Sequence, residues 1–378
     1  MSPPTSPSPA PGPVNQGDIH KAIRLLINNL VNIKDEGGEF LLYLPDGRII
    51  DTKGWNDWEW THGIGLYGIW KYYEQTGDEE LLKIIESWFH DRFAAGGTSK
   101  NINTMAVFLT LAHVYEKTHN IIYLPWLDAW GEWAMHDLER TSYGGFQHVT
   151  YITTNTQQLW DDTLMMTVLP LAKIGLVLNR PHYIDEAKRQ FLLHIKYLFD
   201  TSTGLFYHGW TFENGGHNFA RALWARGNSW LTIAIPEFID LLSLPPTDPI
   251  RLHLLDTLEA QCLSLQRHQD PTTGLWHTLL DQTDPGSYLE ASATAGFAYG
   301  ILKAQRKRYL GREYNRTAET AVRAVLENIN EKGELLNVSF GTAMGESLDF
   351  YRKVPRTAMP YGQAMAVMAL AEYLRKWI

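Results

Sequence analysis

Apolar residues recur along most of this chain at the spacing of α-helices, in segments that short polar or Gly-containing links separate. In the segment 164–174 they fall on most sides of the predicted helix, which is typical of a helix buried all round. The pattern predicts an all-α chain of about twelve helices in six consecutive pairs, and six helical hairpins that bury their apolar faces against one another can close into a ring. Helices are predicted over 19–31, 60–75, 79–93, 103–117, 123–138, 157–176, 183–199, 226–242, 250–268, 287–308, 313–329 and 360–377.

The links between the pairs repeat a second pattern. Segments 144–148, 200–208 and 270–277 are variants of one loop, and each follows the second helix of a pair, so we expect the three loops on one rim of the ring. A Gly-rich link over 35–48 predicts a short hairpin or an extended loop. The even-numbered helices should surround one cavity with their N-termini, which lie near Trp60, Asn103, Asp162, Arg226, Glu290 and Tyr361.

Composition and charge indicate which classes of binding partner to expect. The formal net charge is −9 and no block of five Lys or Arg occurs, so nucleic acid is not an expected partner. No apolar run is long enough to predict a membrane span. The chain has 14 Trp and 18 Tyr, whose rings stack on sugars while their N–H and O–H groups bond to hydroxyls. A carbohydrate site is one explanation for these counts.

The N-terminal residues are rich in Pro and Ser and contain no apolar run. Residues 1–16 are therefore predicted to be a disordered tail ahead of one domain, 17–378. We expect a cytoplasmic protein, or a secreted one if a signal peptide has been removed. Cys262 is the one cysteine, which excludes an intrachain disulfide and a cysteine-based metal cluster.

Two adjacent carboxylates, Asp161 and Asp162, stand between Trp160 and the long apolar helix that follows. Acidic residues in a first helical turn are favoured as caps and by the helix dipole. A capping role and a chemical role for this pair are therefore both open.

Two further segments place ionisable groups beside indoles. His208 stands two residues before Trp210, and Arg226 stands two residues after Trp224. An aromatic wall with Arg and His suits an anionic sugar, because indole stacks on the ring and guanidinium binds a carboxylate in bidentate fashion. The alternatives are a loop histidine with satisfied hydrogen bonds and a surface arginine.

Arg226 is expected near a helix start, where the helix dipole disfavours a cation. An anionic ligand, or a carboxylate partner such as Asp162, would explain this position. Glu290 also stands at a predicted helix start, ahead of a run of small residues, and a capping role and a role at the site are equally open for it.

Five motifs in this order resemble the unsaturated rhamnogalacturonyl hydrolases of glycoside hydrolase family 105, from about residue 55 to the C-terminus. They are W-x-D-T-L-x-M at 160–166, G-L-[FY]-Y-H-G-W at 204–210, W-A-R-G-N at 224–228, E-x-S-A-T-A at 290–295 and Y-G-Q at 361–363. The resemblance implies a single-domain, six-hairpin (α/α)6 barrel. It also implies a substrate whose terminal uronic acid carries a C4=C5 double bond, the product of polysaccharide lyases.

The resemblance assigns roles to individual residues. The Asp of W-x-D-T-L is the family's general acid and base, which selects Asp162 over Asp161. Some members have a second Asp where this chain has Asn103, which is instead a candidate hydrogen-bonding partner of Asp162. The predicted catalytic residues are Asp162, Asn103 and His208, and the predicted substrate-binding residues are Trp60, His62, Trp160, Trp210, Trp224, Arg226 and Glu290.

The implied reaction needs one proton donor. The double bond forms an enol ether with the ring oxygen, so protonation at C4 develops positive charge at C5, water adds there, and the hemiketal opens to release the neighbouring sugar. Asp162 must then be protonated, and burial beside Trp160 would raise its pKa whereas a helix start and Arg226 would lower it. Neither a metal nor a cofactor is expected, because protonating carbon calls for no Lewis acid and no helical H-x-x-x-H pair is present.

The expected substrate is unsaturated galacturonyl-rhamnose from pectin. One alternative is a conventional inverting glycosidase or a sugar epimerase on the same barrel, with Asp162 acting alongside Glu290 or paired histidines. Another is a non-catalytic carbohydrate-binding protein, which the amide at Asn103 keeps open.

Overall fold

The computed structural model describes residues 14–377. Residues 1–13 of the predicted disordered tail lie outside this range. The described residues form thirteen α-helices, of which twelve correspond to the predicted segments and α12 is an additional short one. They are α1 Gln16–Asn32, α2 Trp60–Thr76, α3 Glu79–Ala94, α4 Val107–Thr118, α5 Leu124–Glu132, α6 Leu169–Val177, α7 Pro181–Leu198, α8 Ala225–Leu241, α9 Pro249–His268, α10 Ala291–Arg306, α11 Asn315–Glu327, α12 Leu348–Arg352 and α13 Pro360–Leu374.

The helices form a closed ring of six hairpins. Helices α2, α4, α6, α8, α10 and α13 make the inner ring, each packed against the next, and the contact of α13 with α2 closes it. Helices α1, α3, α5, α7, α9 and α11 lie outside and each packs on an inner helix. The predicted all-α, six-hairpin (α/α)6 barrel is confirmed. No helix in the described part of the chain is both long and apolar enough to span a bilayer.

Inner and outer helices differ in how they are buried. All 15 residues of α13 are buried, because it has neighbours on every side. Helix α11 buries only the stripe that faces the inner ring and leaves its charged residues partly or fully exposed. Small residues let the inner helices approach closely. At Gly300 of α10, a Cβ atom would lie 2.1 Å from the backbone oxygen of Thr232 in α8.

Short antiparallel strand pairs connect the helices at one end of the ring. The predicted hairpin near 35–48 is present as β1 (Leu41–Tyr43) paired with β2 (Ile49–Asp51). The other pairs are β3 (Gln158–Trp160) with β6 (Gly209–Thr211), β4 (Phe199–Asp200) with β5 (Leu205–Phe206), and β7 (Trp276–His277) with β8 (Leu289–Glu290).

Two predicted helices begin later than expected. Residues 158–160 form strand β3 rather than the first turn of a helix, because they pair with β6 about fifty residues further on. Helical structure starts at Asp162, passes through a π-helix over Leu164–Val168 and continues as α6. Similarly, β8 replaces the start of the helix predicted over 287–308. The adjacent carboxylates therefore lie at a strand-to-helix junction.

Candidate active site

A cavity of about 290 Å³ lies at the N-terminal ends of the inner helices. Trp60 at the start of α2, Asn103 ahead of α4, Asp162 ahead of α6 and Arg226 in the first turn of α8 all line it. Four of the six predicted helix starts thus surround one cavity. Apolar side chains complete part of its wall, namely Leu42, Ile152, Phe340, Ala343 and Met359.

Strand pairing places the central carboxylate beside a histidine. Trp160 of β3 pairs with Gly209 of β6, and the backbone N–H of Asp161 donates to the carbonyl of His208 at 3.0 Å. This arrangement brings Asp162 Oδ2 to 3.4 Å from His208 Nε2. The side chain of Asp162 is 15% exposed and that of His208 is 1% exposed, so the carboxylate reaches the cavity and the imidazole lies behind it.

Asp162 is ionised in the protein alone. Burial by itself would raise the pKa of its carboxyl, but the interaction with the facing His208 imidazole holds that pKa well below its usual range. Burial lowers the pKa of the His208 imidazole, and the negative charge of Asp162 opposes this. Interactions with His208, rather than the Arg226 charge expected from the sequence, therefore outweigh burial at Asp162.

Asp161 is fully buried and has the opposite character. Its Oδ2 lies only 2.0 Å from where a Cβ atom of residue 227 would be, which explains the Gly227 of the W-A-R-G-N motif. Burial and the charge of Asp162 raise the pKa of Asp161 well above its usual range. Asp161 is therefore protonated while Asp162 is ionised, and the two carboxyl groups together carry one negative charge.

Trp160 forms an aromatic wall with two histidines. Its ring stacks on His148 with centroids 4.2 Å apart, and its edge meets His208 at 5.4 Å. His148 Nδ1 lies 2.9 Å from the hydroxyl of Thr163, and burial lowers the pKa of His148 to about 3, so its ring is neutral. His148 is not among the site residues predicted from the sequence, although the recurrent loop at 144–148 ends on it.

Trp224 and Trp60 extend the aromatic lining. The Trp224 ring lies 4.3 Å from that of His208, and the guanidinium carbon of Arg226 lies 4.7 Å from the Trp224 ring. Trp60 is partly buried, and its ring packs 4.5 Å from that of Tyr361. Three indoles, those of Trp60, Trp160 and Trp224, thus line the cavity as predicted.

Groups of the protein hold the guanidinium of Arg226. Its Nη1 donates to the carbonyl of Ser339 at 2.7 Å, and its Nη2 donates to the hydroxyl of Thr342 at 3.0 Å. Glu290 Oε1 lies 4.0 Å from Nη1. The carboxylate partner of Arg226 is therefore Glu290, which corrects the hypothesis that it is Asp162.

Glu290 caps helix α10. Its Oε2 accepts the backbone N–H of Ala293 at 2.5 Å, and its Oε1 accepts that of Ser339 at 2.9 Å. The side chain is fully buried and does not line the cavity. Of the two roles left open by the sequence, the geometry favours the cap.

Asn103 bonds to a carboxyl group that the sequence analysis did not select. Its Nδ2 donates to Oε1 of Glu59 at 3.0 Å, rather than to Asp162 as expected. Glu59 caps helix α2, accepts the backbone N–H of Trp60 at 2.6 Å and lines the same cavity. Burial raises the pKa of Glu59 to about 8. The position of Glu59 directly before the inner-helix residue Trp60 was the sequence feature that could have predicted its place in the site.

Two more predicted substrate-binding residues lie behind the wall. His62 is fully buried, accepts the backbone N–H of Glu59 at Nδ1 (3.0 Å) and lies 2.6 Å from the carbonyl of Gly54 at Nε2. Trp210 packs on Tyr197, with ring centroids 5.4 Å apart. With Glu290, these residues support the site from outside the cavity surface.

Asp161, Asp162 and His208 also form the group in the described residues whose donor atoms could hold a metal ion, since these atoms lie within 4.8 Å of one another. Two carboxyl groups and an imidazole suit several divalent metals. However, the imidazole and one carboxylate already face each other, with His208 Nε2 at 3.4 Å from Asp162 Oδ2. The expected absence of a metal stays a prediction.

Comparison with known proteins shows the family. The sequence pattern of Glycosyl Hydrolase Family 88 matches residues 32–377. The unsaturated rhamnogalacturonyl hydrolase YesR of Bacillus subtilis (strain 168) is 32% identical over 322 residues, which are 84% of this chain and 90% of that protein.

Solved structures of similar proteins point to the same family. A possible member of family 105 from Salmonella enterica is 59% identical, covers 100% of both chains and has a TM-score of 0.95. A family 105 glycoside hydrolase of C. acetobutylicum ATCC 824 is 25% identical over 84% of this chain and 93% of that one, with a TM-score of 0.75. The resemblance to family 105 is confirmed, and the protein is a glycoside hydrolase. The pattern covers the barrel from the end of α1 to its C-terminal helix, and this chain belongs to Glycosyl Hydrolase Family 88.

Proposed function

We propose that this glycoside hydrolase removes the terminal C4=C5-unsaturated galacturonic acid from oligosaccharides that polysaccharide lyases release, such as rhamnogalacturonan fragments. The observation that carries the proposal is Asp162, a buried carboxylate that reaches an indole-lined cavity and has His208 behind it. The relative YesR, named an unsaturated rhamnogalacturonyl hydrolase, supports this substrate class.

Asp162 lacks its proton in the protein alone and takes one up from solvent when substrate binds. The terminal uronate brings a second negative charge into the cavity and displaces water from the carboxylate. Both changes favour the neutral form of Asp162 and raise its pKa. The enzyme therefore takes up a proton as it binds substrate, and Asp162 becomes an acid only when there is a double bond to protonate.

The chemical steps balance with one carboxyl group. Asp162 transfers its proton to C4, and the ring oxygen shares the positive charge that develops at C5. Water adds to C5 and returns a proton to the Asp162 carboxylate. The hemiketal at C5 then opens to a ketone, the ring oxygen stays on C1 as a hydroxyl, and the hemiacetal at C1 expels the neighbouring sugar as an alcohol.

His208 positions the acid from behind. Its Nδ1 lies 2.7 Å from the hydroxyl of Tyr351, which fixes the ring and directs Nε2 at Asp162. After proton transfer to C4, the new charge on Asp162 again faces this imidazole. We infer that His208 stabilises the carboxylate between the two proton transfers.

The rival enzyme classes fit the cavity less well. An inverting glycosidase needs a second carboxyl group across the sugar, about 6.5–9.5 Å from the first. Its candidate Glu290 lies outside the cavity wall and is occupied with capping α10 and holding Ser339. Asp161 is adjacent to Asp162 and fully buried, so it cannot lie across a sugar from it.

The test is incubation with lyase digests of rhamnogalacturonan, other pectins and glycosaminoglycans. Turnover should remove the ultraviolet absorbance of the conjugated double bond, fastest for the rhamnogalacturonan digest. Release of reducing ends from saturated oligosaccharides without loss of this absorbance would favour a conventional glycosidase.

Asp162→Asn separates an enzyme from a binding protein. It should lower turnover at least about a hundredfold, the scale of acid–base contributions, and should still bind substrate. Asp200→Asn, at the end of β4 and outside the cavity lining, is the matched control and should keep turnover. If wild type and Asp162→Asn are equally inert and both bind, the non-catalytic alternative is correct. The cytoplasmic location and the absence of nucleic acid partners stay predictions.

A further inference from the structure

Besides Asp162, the carboxyl group of Glu59 faces the cavity, and it takes no part in the proposed proton transfers. Glu59 is 2% exposed and lines the cavity together with Asn103. Its Oε2 accepts the backbone N–H of Trp60, which a cap explains. Its Oε1 accepts from the amide of Asn103, which stands ahead of a different inner helix. Capping does not explain this second bond at the cavity wall.

The charged and titratable groups that face Glu59 give it no cation. Asp57, on the same segment, is another carboxylate and raises the pKa of Glu59. His62 accepts the backbone N–H of Glu59, and burial lowers the pKa of His62, so its ring is neutral. Tyr151, from the loop after α5, is a phenol whose pKa burial raises. Asn103 is uncharged. Burial of Glu59 without a counter-charge therefore favours its neutral form, with a pKa of about 8.

In the same cavity Asp162 is ionised, and the guanidinium of Arg226 is held by Ser339 and Thr342, while its Nε–H is buried without a hydrogen-bond partner among the described residues. A substrate carboxylate entering this space needs hydrogen-bond donors. The hydroxyl of a neutral glutamic acid can accept a bond from Asn103 and donate one to a ligand. The amide of Asn103 has a second N–H for the same purpose.

We propose that Glu59 and Asn103 form an uncharged pair that binds the carboxylate of the unsaturated uronate, with the Glu59 O–H donating to one carboxylate oxygen and the Asn103 amide to the other. This inference rests on the proposed function, since it concerns the substrate of the same cavity. An ionised Glu59 would instead repel the substrate. Binding should therefore weaken as Glu59 loses its proton.

The experiment measures Kd for unsaturated galacturonyl-rhamnose by calorimetry between pH 6 and pH 9.5, in the inactive Asp162→Asn enzyme. This background removes the titration of Asp162. Because Glu59 ionises at a pKa of about 8, Kd should rise at least about fivefold, with a ceiling of roughly thirtyfold, between pH 7 and pH 9.5. In Asp162→Asn/Glu59→Gln the rise should fall below about twofold, because Gln keeps the shape and has no proton to lose.

If the Asp162→Asn/Glu59→Gln variant does not fold, Asn103→Ala tests the role of Glu59 instead. The bond from Asn103 lowers the pKa of Glu59, so Asn103→Ala in the same background should shift the rise in Kd to higher pH. It should also weaken binding at pH 7 by about tenfold, through loss of a hydrogen bond to a charged group. Asp78→Asn, which changes the exposed N-cap of α3, is the control and should keep the rise unchanged.

The outcomes distinguish the two proposals. If the double variant keeps the full rise in Kd, or if the single variant shows none, the role of Glu59 is wrong while the proposed function stands. If the wild type has no turnover and the Asp162→Asn enzyme binds nothing at pH 7, both fail together.

Discussion

The two ends of the inner ring bury glutamates in opposite electrostatic settings. At the C-terminal ends of the inner helices, Glu237 lies 2.6 Å from the ammonium of Lys303 and 3.7 Å from that of Lys71. At the N-terminal ends, Glu59 has an amide and a backbone N–H as partners. Although burial opposes it, the lysines hold the pKa of Glu237 well below its usual range, whereas burial raises the pKa of Glu59 to about 8.

Burial alone therefore does not decide whether a carboxyl group is charged. A cation within reach does, and each end of the ring uses this differently. Lysines near helix C-termini agree with the helix dipole and form a compensated network with Glu237 and Asp240. The N-terminal ends leave Glu59 without a cation, burial and Asp162 outweigh the charge of Arg226 at Asp161, and these ends favour an anionic ligand. Ion pairs at the C-terminal ends of the inner helices stabilise the ring, and the N-terminal ends form the cavity that can bind an anionic ligand.

The largest expected effect is at the network end. Lys303→Met leaves Glu237 with one lysine and should lower the free energy of unfolding by about 3–5 kcal/mol, because it breaks a buried ion pair. Lys307→Met is the control on the same helix end, since Lys307 is 34% exposed and pairs with Asp240, and it should cost less than about 1 kcal/mol. Urea unfolding measures both.

The kinetics of the same variant test the separation of the two ends. Folded Lys303→Met should keep kcat, because the cavity lies at the other end of the helix. A fall in kcat beyond tenfold in folded protein, or equal stability losses for the two lysine variants, would contradict the comparison.

The next largest effect is on stability, which should depend on pH in opposite directions in the isosteric variants Glu237→Gln and Glu59→Gln. Glu237 has a lowered pKa, so the stability it contributes is present above its ordinary value of 4.5 and is lost as the pH falls through the lowered pKa. Glu237→Gln should therefore destabilise the protein at pH 7 and less so in acid. Glu59 has a raised pKa, so its contribution is present below 4.5 and is lost as the pH rises towards about 8.

Glu59→Gln should accordingly gain stability relative to wild type between those pH values, at up to about 1.4 kcal/mol per pH unit. Thermal unfolding of both variants across this range gives the two slopes. Slopes of the same sign would show that the two glutamates share one charge state.

A smaller effect is expected at His208. The interaction with His208 lowers the pKa of Asp162, so His208→Gln should raise that pKa by at least about one unit. The descending limb of kcat against pH, which reports the substrate complex, should then move to higher pH, and the maximum of kcat should fall. Tyr351→Phe removes the partner of His208 Nδ1 and is the milder companion variant. An unshifted limb in the His208 variant would rule out this coupling.

The smallest effect expected is none at all, on removal of metal. Treatment with a chelator should leave turnover unchanged, because Asp162 and His208 pair with each other rather than with an ion. Loss of turnover that a divalent cation restores would show that Asp161, Asp162 and His208 form a metal site.

Local patterns predicted most of the architecture. Helical spacing of apolar residues is a property of neighbouring positions, so twelve helices and their order could be read along the chain. The predicted helix starts and motifs placed Trp60, Trp160, Asp162, Trp224 and Arg226 around one cavity, because inner helices of a closed ring point their N-termini to the same end.

The sequence by itself thus determined the ring, the end at which the cavity lies and the aromatic character of its wall. Only the tertiary structure decided which groups meet there. The pairing of β3 with β6 set His208 behind Asp162, and packing of two inner-helix starts joined Asn103 to Glu59. Charge states followed from the same contacts, since a pKa depends on burial and on partners that are distant in sequence but adjacent in space.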